Sequence, residues 1–118
     1  MADQESLRRL TGIAERLIND ISSYRDEIIL LKQQIQDLKD KGTDEHDVRK
    51  REECLEETNL VLPNCRQQLL DSLLQLSTAI EAKQAEGGEL EKNEFYQHAL
   101  KVQDNGYEII ESFDSIQD

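Results

Sequence analysis

Few residues of this chain could do chemistry: two histidines, His46 and His98, and two cysteines, Cys54 and Cys65, set among abundant carboxylates. Nucleophilic catalysis needs a thiol or hydroxyl beside a base that a third group holds in place. Neither histidine has a Cys or Ser placed to make such a pair, and both lie in charged, helix-like stretches, so both read as solvated. Asp44-Glu45-His46-Asp47 groups three carboxylates with an imidazole. It lacks the spacing, central glycine and terminal bidentate glutamate of a calcium loop, and reads instead as the acidic start of a helix. Gly87-Gly88 follows no strand and precedes no Gly-Lys-Ser/Thr, so it is a turn and not a phosphate loop. Cys54 and Cys65 do not form a Cys-x-x-Cys pair. On one helix they would stand roughly 16 Å apart, too far for a disulfide, and they are expected to be buried or half-buried. No catalytic residue, metal site or cofactor is predicted, and the chain reads as a protein that binds, not an enzyme.

The elements that carry these residues are helical. Leu7, Leu10, Ala14, Leu17, Ile21, Tyr24, Ile28, Leu31, Ile35 and Leu38 recur in alternating steps of three and four, the signature of coiled-coil packing. The pattern predicts helix one over about residues 6–40, with Ser6 as a possible cap. Lys39 and Lys41 suit the negative end of the helix dipole, and Gly42 suits a left-handed C-terminal residue. Gly12, early in this helix, is expected where a neighbouring helix comes close. Thr43 or Asp44 then caps helix two, and a turn this short forces the two helices antiparallel.

Helix two is expected over about residues 45–85. Val48, Leu55, Leu62, Leu69 and Leu76 keep one heptad register on both sides of Pro63, so one helix kinked at the proline is the simplest reading. A proline inside a helix costs roughly 3 kcal/mol, which packing on both sides must offset. Cys65, Leu73, Ala79 and Ile80 widen the stripe, and a wide stripe contacts two neighbours. Helix three follows over about residues 90–105, with a seam of Phe95, Ala99, Val102, Gly106, Ile109, Phe113 and Ile116. Asn105-Gly106 reads as a breaker, and continuation to 116 as less secure. The predicted fold is all-α: a single domain, 1–118, forming an elongated antiparallel three-helix bundle with coiled-coil-like packing.

Composition agrees. The 118 residues are 36% hydrophobic, 34% charged and 4% aromatic, which suits long amphipathic helices better than a thick core. The formal net charge of −12 disfavours nucleic acid and anionic membranes as partners. Met1-Ala2-Asp3-Gln4-Glu5 is polar, with none of the marks of a signal peptide, and no apolar run approaches the ~18–20 residues of a membrane span. A reducing, cytosolic setting is expected. The basic run Arg49-Lys50-Arg51 reads first as a solvated face balanced by Glu52, Glu53, Glu56 and Glu57. Ile29 and Leu30 on helix one, and Leu60 and Leu74 on helix two, fall outside the seams and are candidates for a partner surface.

Three stretches resemble the tubulin-binding cofactor A family. Leu55-Glu56-Glu57-Thr58-Asn59-Leu60-Val61-Leu62-Pro63-Asn64-Cys65, followed by Leu69, is similar to the family's L-x-E-S-R-M-M-I-P-D-C and its x-x-R-L; Asn59, Thr58 and Asn64 depart from that pattern. Thr11-Gly12-Ile13 with Arg16-Leu17-Ile18, then Tyr24 and Glu27, resemble T-G-V-x-x-R-L-V and Y-x-K-E. Lys39-Asp40-Lys41-Gly42-Thr43-Asp44 resembles its K-x-K-G-x-D turn, and Glu94-Phe95-Tyr96 with Ala99 echoes E-E-Y-x-x-A. The resemblance implies a cytoplasmic, cytoskeleton-associated three-helix chaperone without nucleotide hydrolysis. It would bind β-tubulin folding intermediates after the cytosolic chaperonin, alongside other tubulin-folding cofactors, on the route to the αβ heterodimer and microtubules. Its client surface would draw on Ile29, Leu30, Arg49, Lys50, Arg51, Leu60, Val61 and Leu74. The bundle itself is expected as a monomer or a homodimer. Two other readings compete: a coiled-coil adaptor that self-assembles through its heptads without a tubulin role, and a prefoldin-like arm, which would need β-hairpins that no alternating segment supplies.

Overall fold

The computed structural model describes residues 4–42 and 44–116, with side-chain surroundings through 113. The chain is all-α. Helix α1 spans Gln4–Asp40, α2 spans Glu45–Glu86 and α3 spans Glu94–Ile116, with a 3-10 turn at Leu90–Lys92. Among the described residues there is no strand.

The boundaries follow from local chemistry. α1 starts before Ser6, which therefore lies inside the helix and is not its cap. Its end is closed by Gly42 at φ 64°, a left-handed turn that a Cβ would oppose. Asp44 caps α2, its Oδ1 accepting from the His46 N–H at 3.0 Å; the alternative cap, Thr43, lies outside the described residues. Gly87 and Gly88, at φ 76° and 94°, break the chain after α2. α3 then begins later than the seam alone suggested, because Leu90–Lys92 close as a 3-10 turn and Asn93 takes the cap position. Asn93 Oδ1 accepts from the N–H groups of Phe95 and Tyr96 at 3.0 and 3.1 Å. That satisfies two of the donors a helix start leaves open.

The chain packs as two compact units. One joins α1 up to Asn19 with everything from Arg66 onward; the other is Asp20–Cys65. The first is a three-helix unit built around Leu7, Leu69, Leu73 and Leu76, all at most 1% exposed, with Ala14, Ile80, Tyr96, Ala99, Val102, Ile110 and Phe113 closing the core. Ala99, Val102, Gly106 and Phe113 of the predicted seam are buried, while Tyr96 and Ile110 take the buried places expected of Phe95 and Ile109, which are half-buried. Polar groups tie this unit at its margins: Gln84 Nε2 donates to Tyr96 Oη at 2.8 Å, and Gln103 Nε2 donates to Ser77 Oγ at 2.7 Å.

Two glycines behave opposite to expectation. Gly106 does not break α3; a Cβ there would come within 2.5 Å of Leu73 Cδ2, so the absent side chain is what lets α2 and α3 approach. Gly12 was expected at such an approach, yet a Cβ built on it meets nothing within 4 Å. It leaves an interior helix position that costs about 1 kcal/mol relative to alanine with no packing return among the described residues.

The second unit is a two-helix hairpin of late α1 and early α2. Ile21, Leu31, Ile35, Thr58 and Cys65 are its buried positions, and Tyr24, Ile28, Val48, Leu55 and Leu62 are half-buried. The Thr58 hydroxyl donates to the Cys54 carbonyl at 2.9 Å, satisfying itself within its own turn. α2 runs on through Pro63, next to the point where the two units meet in sequence. The proline withholds the N–H that the Asn59 carbonyl would accept.

Candidate functional site

The predicted surface residues divide between the two units. Ile29, Leu30, Leu60 and Val61 belong to the hairpin, with 67%, 56%, 71% and 39% of their surface exposed. Leu74, 55% exposed, belongs to the three-helix unit. Lys39 Nζ pairs with Glu52 Oε1 at 3.5 Å near the turn, and Asp20 lies close enough to Cys65 to raise its thiol at the other end of the hairpin. Counted from the latter pair, Ile29 and Leu30 lie nearer the level of Leu55 than of Leu60, so the four exposed apolar residues occupy two levels. Successive helical residues diverge by about 100°, so they form a staggered collar around the hairpin and not one flat face.

Why the collar stays uncovered within the hairpin is a matter of geometry. A helix pair buries one stripe of each member, and Leu31, Ile35, Thr58 and Cys65 occupy that stripe. Large apolar groups outside it have no third helix in the hairpin unit to meet. An apolar cluster left on a surface in this way marks a place for a partner.

The basic run resolves into unequal members. Arg49 and Lys50 are exposed. Arg51 is half-buried, and among the described residues nothing accepts from its buried Nε, so it belongs more to the hairpin wall than to an open face. Arg49 shares a shallow recess with Lys39, Glu45, Val48 and Glu52.

The cysteines separate in the same manner. Cys65 is buried, and burial, followed by the negative charge of Asp20, pushes its thiol above the ordinary range. It is held protonated and is a poor nucleophile. Cys54 is exposed, contrary to the expectation that both would be at least half-buried, because it falls on the outer side of α2. Burial also lowers the Arg25 guanidinium from its usual value.

One group was not foreseen. His98 on α3 lies 2.7 Å from Glu15 Oε1 on α1, so it is an interhelical pair and not a merely solvated side chain. Arg8 stands over the Phe95 ring at 5.9 Å. Between the two pairs lies a notch floored by Thr11 and Gly12. Positions so distant in sequence carry no periodic signal; only the packing of α3 on α1 brings them together. Among the described residues no group of His, Cys, Asp and Glu could hold a metal ion, and no helix is long and apolar enough to cross a membrane.

Comparison with known proteins supplies what geometry alone does not. The tubulin binding cofactor A family model matches residues 2–102. The chain is 30% identical over 95 residues to tubulin-folding cofactor A of Arabidopsis thaliana, covering 77% of this chain and 84% of that protein. It is 26% identical over 95 residues to tubulin-specific chaperone A of Homo sapiens, covering 80% and 84%. The crystal structure of tubulin folding cofactor A from Arabidopsis thaliana shares the fold with a TM-score of 0.78 at 24% identity, over 89% of this chain and 95% of that one. Human tubulin chaperone cofactor a gives a TM-score of 0.68 at 25% identity, over 86% and 94%.

Proposed function

Because the chain belongs to the tubulin binding cofactor A family, we propose that it is a tubulin-folding chaperone that binds and stabilises β-tubulin folding intermediates after their release from the cytosolic chaperonin. The observation that carries this is the family match over residues 2–102. The protein acts in the cytoplasm, beside other tubulin-folding cofactors on the route to the αβ heterodimer. It works by binding, without chemistry of its own.

The hairpin collar gives that binding a physical basis. A folding intermediate exposes apolar surface that its finished partner will later cover. Ile29, Leu30, Leu60 and Val61 can cover it for a time, each gaining on the order of 1–2 kcal/mol when its exposed part is removed from water. A few such contacts hold a client without holding it permanently. With a net charge of −12 on the chaperone, an acidic client is not drawn in from a distance, so capture rests on local contact. Arg49 and Lys50, exposed on α2, add short-range pairing with client carboxylates. Leu74, on the other unit, is a separate and weaker candidate.

Size-exclusion chromatography with light scattering, on the protein alone and mixed with chaperonin-released β-tubulin, tests this reading. A one-to-one complex that excludes α-tubulin is the expected result. A tight homodimer that ignores β-tubulin would replace it with a self-assembling coiled-coil adaptor.

A further inference from the structure

On the reading that the hairpin collar is the client surface, we propose that its occupant is a partner protein segment carrying Lys or Arg beside its apolar side chains, and not a second copy of this chain. Charge selects between the two. Within seven positions of Ile29, Leu30, Leu60 and Val61, over residues 22–37 and 53–68, the carboxylates are Asp26, Glu27, Asp37, Glu53, Glu56 and Glu57, and the cations are Arg25, Lys32 and Arg66. All six carboxylates are exposed, and among the described residues none is held in an ion pair. Of the cations only Lys32 is exposed; Arg25 and Arg66 are half-buried and already engaged within the chain. The collar is negative by count and more so by access.

Placement sharpens this. On α2, Glu56 and Glu57 stand one turn before Leu60 and Val61, and helical side chains lean toward the N-terminus, so both apolar groups lie over the turn that carries the carboxylates. The turn after them holds Pro63 and Asn64, without charge. On α1, Asp26 and Glu27 precede Ile29 and Leu30 in the same way, beside Arg25. The next cations toward the turn, Arg51, Lys50 and Arg49, begin nine residues before Leu60. That is roughly 14 Å along the helix, beyond the ~8 Å reach of charge at physiological salt. A lysine or arginine of the partner can lay its stem on the apolar groups and bring its charged end to these carboxylates. A carboxylate in that place meets like charge, and a second copy laid collar against collar brings the same six carboxylates with it.

The full chain, labelled with nitrogen-15, is titrated at about 0.15 M salt with two synthetic amphipathic helical peptides that share their leucines and differ only in Lys or Glu beside them. The expected result is saturable shifts of the Leu60 and Val61 amides with the Lys peptide and at least tenfold weaker binding of the Glu peptide. Glu56→Gln with Glu57→Gln should weaken the Lys peptide at least threefold. Glu81→Gln with Asp104→Asn, the same loss of charge at exposed positions of the three-helix unit, should change it less than twofold. Equal binding of both peptides, an equal loss in the two charge-matched variants, or shifts that leave Leu60 and Val61 untouched would overturn the proposal. So would a homodimer in light scattering that Leu60→Ser with Val61→Ser dissociates, because it puts a second copy on the collar. Selective Lys-peptide binding by a protein that ignores β-tubulin would support the acidic collar and remove only the tubulin reading. Capture of β-tubulin alongside equal binding of the two peptides would overturn the acidic selection and leave the tubulin reading standing.

Discussion

The two units use the same helices to opposite ends. In the three-helix unit a second neighbour covers what the first leaves open, and Leu7, Leu69, Leu73 and Leu76 are sealed to 1% exposure or less. In the hairpin Ile21 is sealed as well, but beyond it each helix has one neighbour: Leu31 and Ile35 keep 9% and 8% exposure, and four large apolar side chains remain outside. Stability is concentrated in one unit and apolar binding surface in the other. A chaperone must offer apolar surface without unfolding or aggregating, and this division keeps the two demands on different residues.

Mutations can break or sharpen that contrast. The largest effect is expected from Leu73→Ala, which opens a cavity in a fully buried site and should lower unfolding free energy in urea by about 3–4 kcal/mol. Ile35→Ala in the hairpin should cost less, about 2 kcal/mol, since its surroundings are thinner and can collapse; an equal loss would mean the hairpin is packed as tightly as the three-helix unit. Gly106→Ala pushes against Leu73, which is fully buried and has nowhere to swing. The clash outweighs the gain in helix propensity, for a net loss of about 1 kcal/mol by thermal or urea unfolding.

Cys65 should give a shallow alkaline decline. Its thiol is raised in the fold by burial and by Asp20, so the folded state holds its proton more tightly than the unfolded chain does. That contribution is present at neutral pH and is lost as pH rises through the folded-state value. Urea titrations in alkaline buffers should show the decline in the parent and its absence in Cys65→Ala. The smallest change in stability is expected from Leu60→Ser with Val61→Ser, within about 1 kcal/mol, because Leu60 is mostly in water and Val61 partly so. The same pair should weaken β-tubulin capture at least tenfold in the chromatographic assay; unchanged capture would take the collar out of the client surface.

The sequence announced the helices because heptad spacing is a local property. Leu7 to Leu38 and Val48 to Leu76 keep their register whatever surrounds them, and Pro63 could be read through because the pattern holds on both of its sides. The exposed positions of Ile29, Leu30, Leu60 and Leu74 were legible for the same reason: each falls outside a seam that could be counted. The glycines were not legible. Gly12 and Gly106 look alike to propensity, and what distinguishes them is a single side chain, Leu73, that faces one and not the other. The Gly12 notch depends on α3 meeting α1, and the Glu15–His98 contact joins positions no repeat connects. The late start of α3 was hidden by Asn93, whose capping role shows only in its bonds to Phe95 and Tyr96.

The order in which the three-helix unit is assembled along the chain has a consequence for its synthesis. Its first strip, α1 up to Asn19, leaves the ribosome long before its partners from Arg66 onward, with the whole hairpin between them. Joining those ends early means closing a long loop, at an entropic cost that grows as the logarithm of its length. A hairpin of local contacts forms quickly and shortens that loop before the core is attempted. Until α3 has been made, the three-helix unit lacks one of its helices, so its finished core appears only after residues 94–116 have been translated. A folding chaperone must itself wait for its third helix before it is one.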